Sequence, residues 1–159
     1  MEHRVSATVG ASPAAVYQLF IDIERWPDLS ASTRSVRRLD SGPLRVGSEA
    51  VVKQPRLPSA RWRVTELDPD RSFVWETRSG GVTTVGDHRV EPDGTGSTIT
   101  ITLRTHGPLA GVVDLLVNGV ARRHVAMELE GFRSAAAAAA PPTPPTPPAP
   151  PAPPASAAG

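Results

Sequence analysis

Between residues 34 and 105 the chain offers six strand-like runs, and every break between them is a short stretch of turn chemistry. The runs lie near 34–40, 48–54, 60–68, 71–78, 82–91 and 96–105. Between them stand Asp40-Ser41-Gly42-Pro43, Pro55-Arg56-Leu57-Pro58, Asp68-Pro69-Asp70, Ser79-Gly80-Gly81 and Pro92-Asp93-Gly94-Thr95-Gly96. Each break supplies the Gly, Pro or Asp that tight turns require. Parallel neighbours need crossovers far longer than these, so the spacing leaves an antiparallel meander as the fold of this region.

The flanks complete the pattern. Val5, Ala7 and Val9 alternate with polar residues and predict a first strand. A helix is expected over about 13–24. Ser12 can accept from a free amide of its first turn, and Pro13 suits a first helical position, where no N–H is needed. Val16, Leu19, Phe20 and Ile23 recur at helical spacing. Pro27 disfavours helical geometry at Trp26, so a turn is expected there, followed by a short helical turn over Trp26–Ser30. Beyond the meander, Gly107-Pro108 opens a long helix to about Arg133, roughly 39 Å in length. Its expected apolar stripe is Leu109, Val113, Leu116, Val120, His124 and Met127. Gly119 sits within this helix at a cost of ~1 kcal/mol against alanine, which points to a bend or to close packing on the sheet. The whole reads as an α+β domain: seven antiparallel strands, two short helices after the first strand, and one long C-terminal helix.

Residues 1–133 suffice for one domain with its own core. The remainder, 134–159, is expected to be a disordered tail: its alanines can extend the helix until Pro141 stops it, and the tract with ten prolines and no charge over 141–155 is expected to be unpacked and polyproline-II-like. The chain has no cysteine, which excludes disulfides and thiolate metal sites. No His/Asp/Glu spacing supplies three converging metal ligands, and no glycine loop cradles a phosphate, so no cofactor is expected. Seventeen basic and 16 acidic residues are interspersed. That balance is unlike the one-sided basic face of a nucleic-acid binder. Met1-Glu2-His3-Arg4 lacks an apolar signal core and no apolar run is long enough for a bilayer, so the expectation is a cytoplasmic protein without stable membrane insertion.

Strand alternation sorts the side chains onto two faces. The inward sets are Ala50 and Val52; Trp62 and Val64; Phe73, Trp75 and Thr77; Val82, Thr84, Gly86, His88 and Val90; and Ile99, Ile101 and Leu103. Large rings, a gap and polar groups share these positions. Two arrangements fit: a ligand pocket with apolar walls and a few placed polar groups, or a packed core whose polar members bond to backbone. The candidate ligand-binding residues are Trp62, Val64, Phe73, Trp75, Thr84, Gly86, His88 and Ile101 from the sheet, with Leu116, Val120 and His124 from the long helix. Histidine titrates near neutrality, which makes His88 the candidate acid/base. Of the carboxylates that might orient it, Asp87 points to the outer face, while Glu66 extends the inward set of Trp62 and Val64. Tyr17 and Trp26 read as structural anchors of the helix pair.

The order of elements resembles the START-like, or SRPBCC, superfamily, and several segments are similar to its polyketide cyclase/dehydrase and lipid-transport branch. They are Ala11-Ser12-Pro13 with Val16, Asp22-Ile23-Glu24-Arg25-Trp26-Pro27, Gly42-Pro43-Leu44-Arg45-Val46-Gly47-Ser48, Val64-Thr65-Glu66-Leu67-Asp68-Pro69 and Phe73-Val74-Trp75. The resemblance covers about 1–133. It implies a helix-grip fold, a curved sheet wrapped around the long helix and enclosing a hydrophobic tunnel. Members often carry a second aromatic soon after the Trp-Pro pair; Asp28-Leu29 stands there instead.

Three functions follow as expectations. The first is binding of a small hydrophobic, lipid- or polyketide-like molecule in an internal cavity. The second is a cyclase or dehydratase with His88 as acid/base. The third is a protein-interaction module, with the Pro-rich tail as the contact for a protein partner.

Overall fold

A computed structural model describes residues 1–139; the Pro-rich tract over 141–155 and its expected role lie outside the described residues. The elements run β1 (Glu2–Val9), α1 (Pro13–Ile21), a 3-10 turn (Ile23–Arg25), α2 (Trp26–Leu29), β2 (Ser35–Arg38), β3 (Glu49–Lys53), β4 (Ala60–Asp68), β5 (Ser72–Ser79), β6 (Val82–Asp93), β7 (Gly96–His106) and α3 (Ala110–Ala139). The sheet order is β1-β7-β6-β5-β4-β3-β2, with every pair antiparallel. Each hairpin pairs with the next, and β1 returns to β7 with Val5 opposite Ile101. The long helix packs on the inner face of this sheet, chiefly against β1 and β7, and the short helices close one end. This is the helix-grip architecture.

α1 begins as its sequence dictates. The Ser12 hydroxyl accepts from Ala15 N–H at 3.3 Å, and Pro13 occupies the first turn. The helix nevertheless ends at Ile21, earlier than the apolar spacing predicts, and the break falls at Asp22 (φ −83°, ψ 59°) rather than at Trp26. Trp26 is itself helical, with φ −56° and ψ −33°. The packing of its side chain overrides the local preference imposed by Pro27. The indole is 2% exposed, donates from Nε1 to Leu19 O at 3.1 Å, and meets Phe73, Trp75, His88 and Phe132 at ring-centroid distances of 5.0–5.9 Å. Pro27 falls within the first turn of α2, where its missing N–H leaves no helical bond unmade. Tyr17 is buried in the same core, where burial first, and then Asp70 and Asp68, raise its phenol above the ordinary value.

The long helix takes up the alanines beyond Arg133, and its facing departs in part from expectation. It continues to Ala139, and Ala136 is fully buried in the core. Leu109 and Leu116 are exposed, at 51% and 74%. The face turned to the sheet keeps Val113 and His124 of the expected stripe and is otherwise built from Val117, Ala121, Val125, Glu128, Phe132 and Ala136, which follow Val113 at four- and three-residue steps. Close packing falls to Gly131 rather than Gly119. A Cβ at Gly131 would lie 2.4 Å from Leu29 O, whereas one at Gly119 would meet nothing within 4 Å. Beside Gly131, Ser30 donates from its hydroxyl to Met127 O at 3.0 Å, which ties α3 to the end of α2.

Candidate functional site

A cavity of about 330 Å³ lies between α3 and the inner face of the sheet. Its sheet wall is built from Val52, Ala60, Trp62, Trp75, Val82, Thr84, Leu103 and Thr105, and its helix wall from Val113, Val117, Ala121, His124, Val125 and Glu128. Three indoles form a continuous ring surface. Trp62 and Trp75 lie 4.9 Å apart at 34°, and Trp26 meets Trp75 edge-on at 5.0 Å. Gly86 makes this wall possible, because a Cβ there would come within 2.7 Å of the Trp75 Nε1. On the helix side Val113, Val117, Ala121 and Val125 are small or β-branched, which leaves room in front of the rings.

α3 brings two ionisable residues to this cavity, Glu128 and His124, while Thr33, Gln54, Thr77, Ser79, Thr84 and Thr105 supply uncharged polar ones. Glu128 Oε1 lies 2.6 Å from His88 Nε2, and the other ring nitrogen of His88 lies 3.3 Å from Phe73 O. A carbonyl oxygen can only accept, so Nδ1 carries its hydrogen toward Phe73 and Nε2 shares a proton with the carboxylate. His88 is 1% exposed and walled by Phe20, Trp26, Phe73 and Phe132. The ring is thereby held from all sides, and it holds Glu128 in turn. One helical turn before Glu128, His124 also faces the cavity. It is 6% exposed, and its Nδ1 is buried without a hydrogen-bond partner among the described residues. Burial pushes this imidazole below its ordinary value; Glu128 pulls it up and Arg123 pushes it further down. On the sheet side the hydroxyls of Thr84 and Thr105 lie 3.4 Å apart.

Of the residues that the sequence offers as ligand contacts, Trp62, Trp75, Thr84 and His124 are on the cavity wall. Val64, Phe73, His88 and Ile101 are packed into the core beside it, and Gly86 supports it from behind Trp75. Leu116 and Val120 lie apart from it, on a groove with Pro55, Arg56 and Arg123. Their helix is rotated relative to the stripe read from its large apolar residues. Glu66 does not turn inward either. The β4–β5 register slips between Val64 and Glu66, and this bulge moves every later residue of β4 to the opposite face. Glu66 then accepts from the Ser72 hydroxyl at 2.5 Å and lies 3.6 Å from Arg89. Asp87 points to the outer face as expected, where Arg89 and Arg104 cover it at 3.0 and 3.2 Å.

The carboxylate that does meet His88, Glu128, is the residue that the sequence pattern misses. Its signal is its place four residues after His124 on a helix, which puts both on one face. Among the described residues no group of three or more His, Asp or Glu side chains could hold a metal ion, and no helix is long and apolar enough to cross a membrane.

Known structures share this architecture. A protein from Thermus thermophilus superposes with a TM-score of 0.70 at 20% identity, over 89% of this chain and all of that one. The di-domain ARO/CYC StfQ from the steffimycin biosynthetic pathway gives 0.68 at 11% identity, over 87% of this chain and 51% of its own. Ara h 8.0201 gives 0.60 at 15% identity, over 85% and 98%. At these identities the likeness is one of fold. A comparison with curated proteins found no match. The family described as polyketide cyclase / dehydrase and lipid transport matches residues 2–137, nearly the whole of the described chain. With its seven-stranded sheet closed on a long C-terminal helix over an apolar cavity, the chain belongs to this family of the START-like superfamily.

Proposed function

We propose that this protein binds a small, mostly apolar molecule in the cavity between the sheet and α3. The cavity itself carries this reading: about 330 Å³, walled by indole rings and aliphatic side chains, with a few polar groups. That volume is at the small end of ligand clefts, which run from roughly 300 to 1,000 Å³. It suits a compact ring system better than a diacyl lipid. His88, the acid/base candidate, stands behind Glu128 rather than on the wall, which favours binding over direct proton transfer by that ring. The family description, which names both cyclase/dehydrase and lipid-transport members, accords with an apolar guest.

The reading is tested by filling the space. Ala121 is 7% exposed and faces the cavity. The Ala121→Phe variant is expected to keep its far-UV circular dichroism and to lose saturable binding of N-phenyl-1-naphthylamine followed by fluorescence. A wild-type protein that shows no saturable binding of this probe, or a filled variant that binds it equally well, would overturn the proposal.

A further inference from the structure

The ligand-binding reading leaves two polar groups of α3 without a task, and the inference here rests on that reading. The only hydrogen bond of the Glu128 carboxylate among the described residues uses Oε1, which His88 holds from behind. The carboxylate borders the cavity. His124 borders it too, and neither of its ring nitrogens has a partner among the described residues; Nδ1 is closed off within the fold, whereas Nε2 is not. An imidazole on a cavity wall with an unsealed, unpaired nitrogen can bond a group that arrives with the guest. Residues four apart on a helix have Cβ atoms about 5–6 Å from each other, close enough for one oxygen atom to reach both side chains.

We propose that Glu128 and His124 together form a hydroxyl-reading site, so that the guest is a compact ring alcohol or phenol. Its O–H donates to Glu128 and its oxygen accepts from the His124 ring. The chemistry of the pair selects this group. A carboxylate only accepts and repels a guest carboxylate. An ether can accept from His124 but leaves Glu128 without a donor. A hydroxyl satisfies both. Most of the remaining wall is apolar, with Thr33, Gln54, Thr77, Ser79, Thr84 and Thr105 among its residues, which suits a mostly hydrophobic molecule. His88 acts here as a positioning residue, since its Nε2 determines which part of the residue-128 side chain is left facing the cavity.

The test compares 2-naphthol with 2-methoxynaphthalene, which keeps the ring and the oxygen and lacks the donor. Fluorescence titration of the wild-type protein is expected to show 2-naphthol bound about tenfold more tightly. In Glu128→Gln, the His88 ring keeps its hydrogen on Nδ1 toward Phe73 O, so Nε2 accepts from the amide NH2 and the uncharged amide oxygen is left facing the cavity. A weaker, uncharged acceptor thus replaces the carboxylate, and the preference is expected to shrink to about threefold or less, with binding of 2-methoxynaphthalene retained. Glu128→Met removes both functions and is expected to lose the preference too, so the outcome does not hang on one variant folding well. Equal binding of the two probes by the wild type, or an unchanged preference in both variants, would overturn the hydroxyl site and leave the cavity reading intact. Failure of the wild type to bind either probe would overturn both.

Discussion

His124 carries its cost of burial openly. Desolvation holds its imidazole below the ordinary value of 6.5, partly offset by Glu128 and reinforced by Arg123. A histidine with a depressed folded-state value binds fewer protons when folded than when unfolded, so stability rises with pH through that range. The contribution is fully present above 6.5 and is lost as the pH falls below it toward the folded value. Urea denaturation at about pH 8 and about pH 5 is therefore expected to show a loss of stability on acidification that is smaller in His124→Gln than in the wild type. Asp40 moves in the same direction in a different window. The Ser48 hydroxyl and Arg38 hold its carboxyl below 3.8, so its contribution is lost only in stronger acid. The two windows let the histidine be read separately. At this scale the sequence exposes His88 and His124 as inward polar groups but hides the partner of the first. The Glu128 contact joins residues 40 positions apart and depends on how α3 is rotated.

At the scale of elements, turn chemistry makes the meander legible, because glycine, proline and aspartate act locally. The helices are less legible. The large leucines of α3 suggest one buried face, yet the cavity calls for small side chains opposite the rings, and Leu115 and Leu116 are exposed at 86% and 74%. β4 shows the same limit, since a single bulge sends Glu66 outward where simple alternation sends it inward. The two helix glycines give a direct check. Gly131→Ala is expected to destabilise by about 1–3 kcal/mol, because its Cβ would collide with Leu29 O and backbone must move. Gly119→Ala, with open space around it, is expected to stabilise by up to about 1 kcal/mol through helix propensity alone. Chemical denaturation of the two variants should give opposite signs.

For the whole molecule, the length of α3 matters as much as its face. The helix continues past Arg133, and Ala136 is buried in the core that holds Phe20, Trp26 and Phe132. We propose a folding unit that includes this last stretch. A chain ending at residue 133 is expected to melt about 5 °C or more below one ending at residue 139, measured by thermal circular dichroism. Equal melting temperatures would restore the shorter boundary. By itself the sequence determined the strands, their antiparallel order, the capped start of α1 and the inward rings, since turn residues, caps and two-residue alternation act over a few neighbours. Only the tertiary structure decided that Trp26 is helical despite Pro27, which face of α3 looks inward, and that Glu128 meets His88. Each depends on which surfaces are buried against each other, and that is settled by packing between elements far apart in the chain.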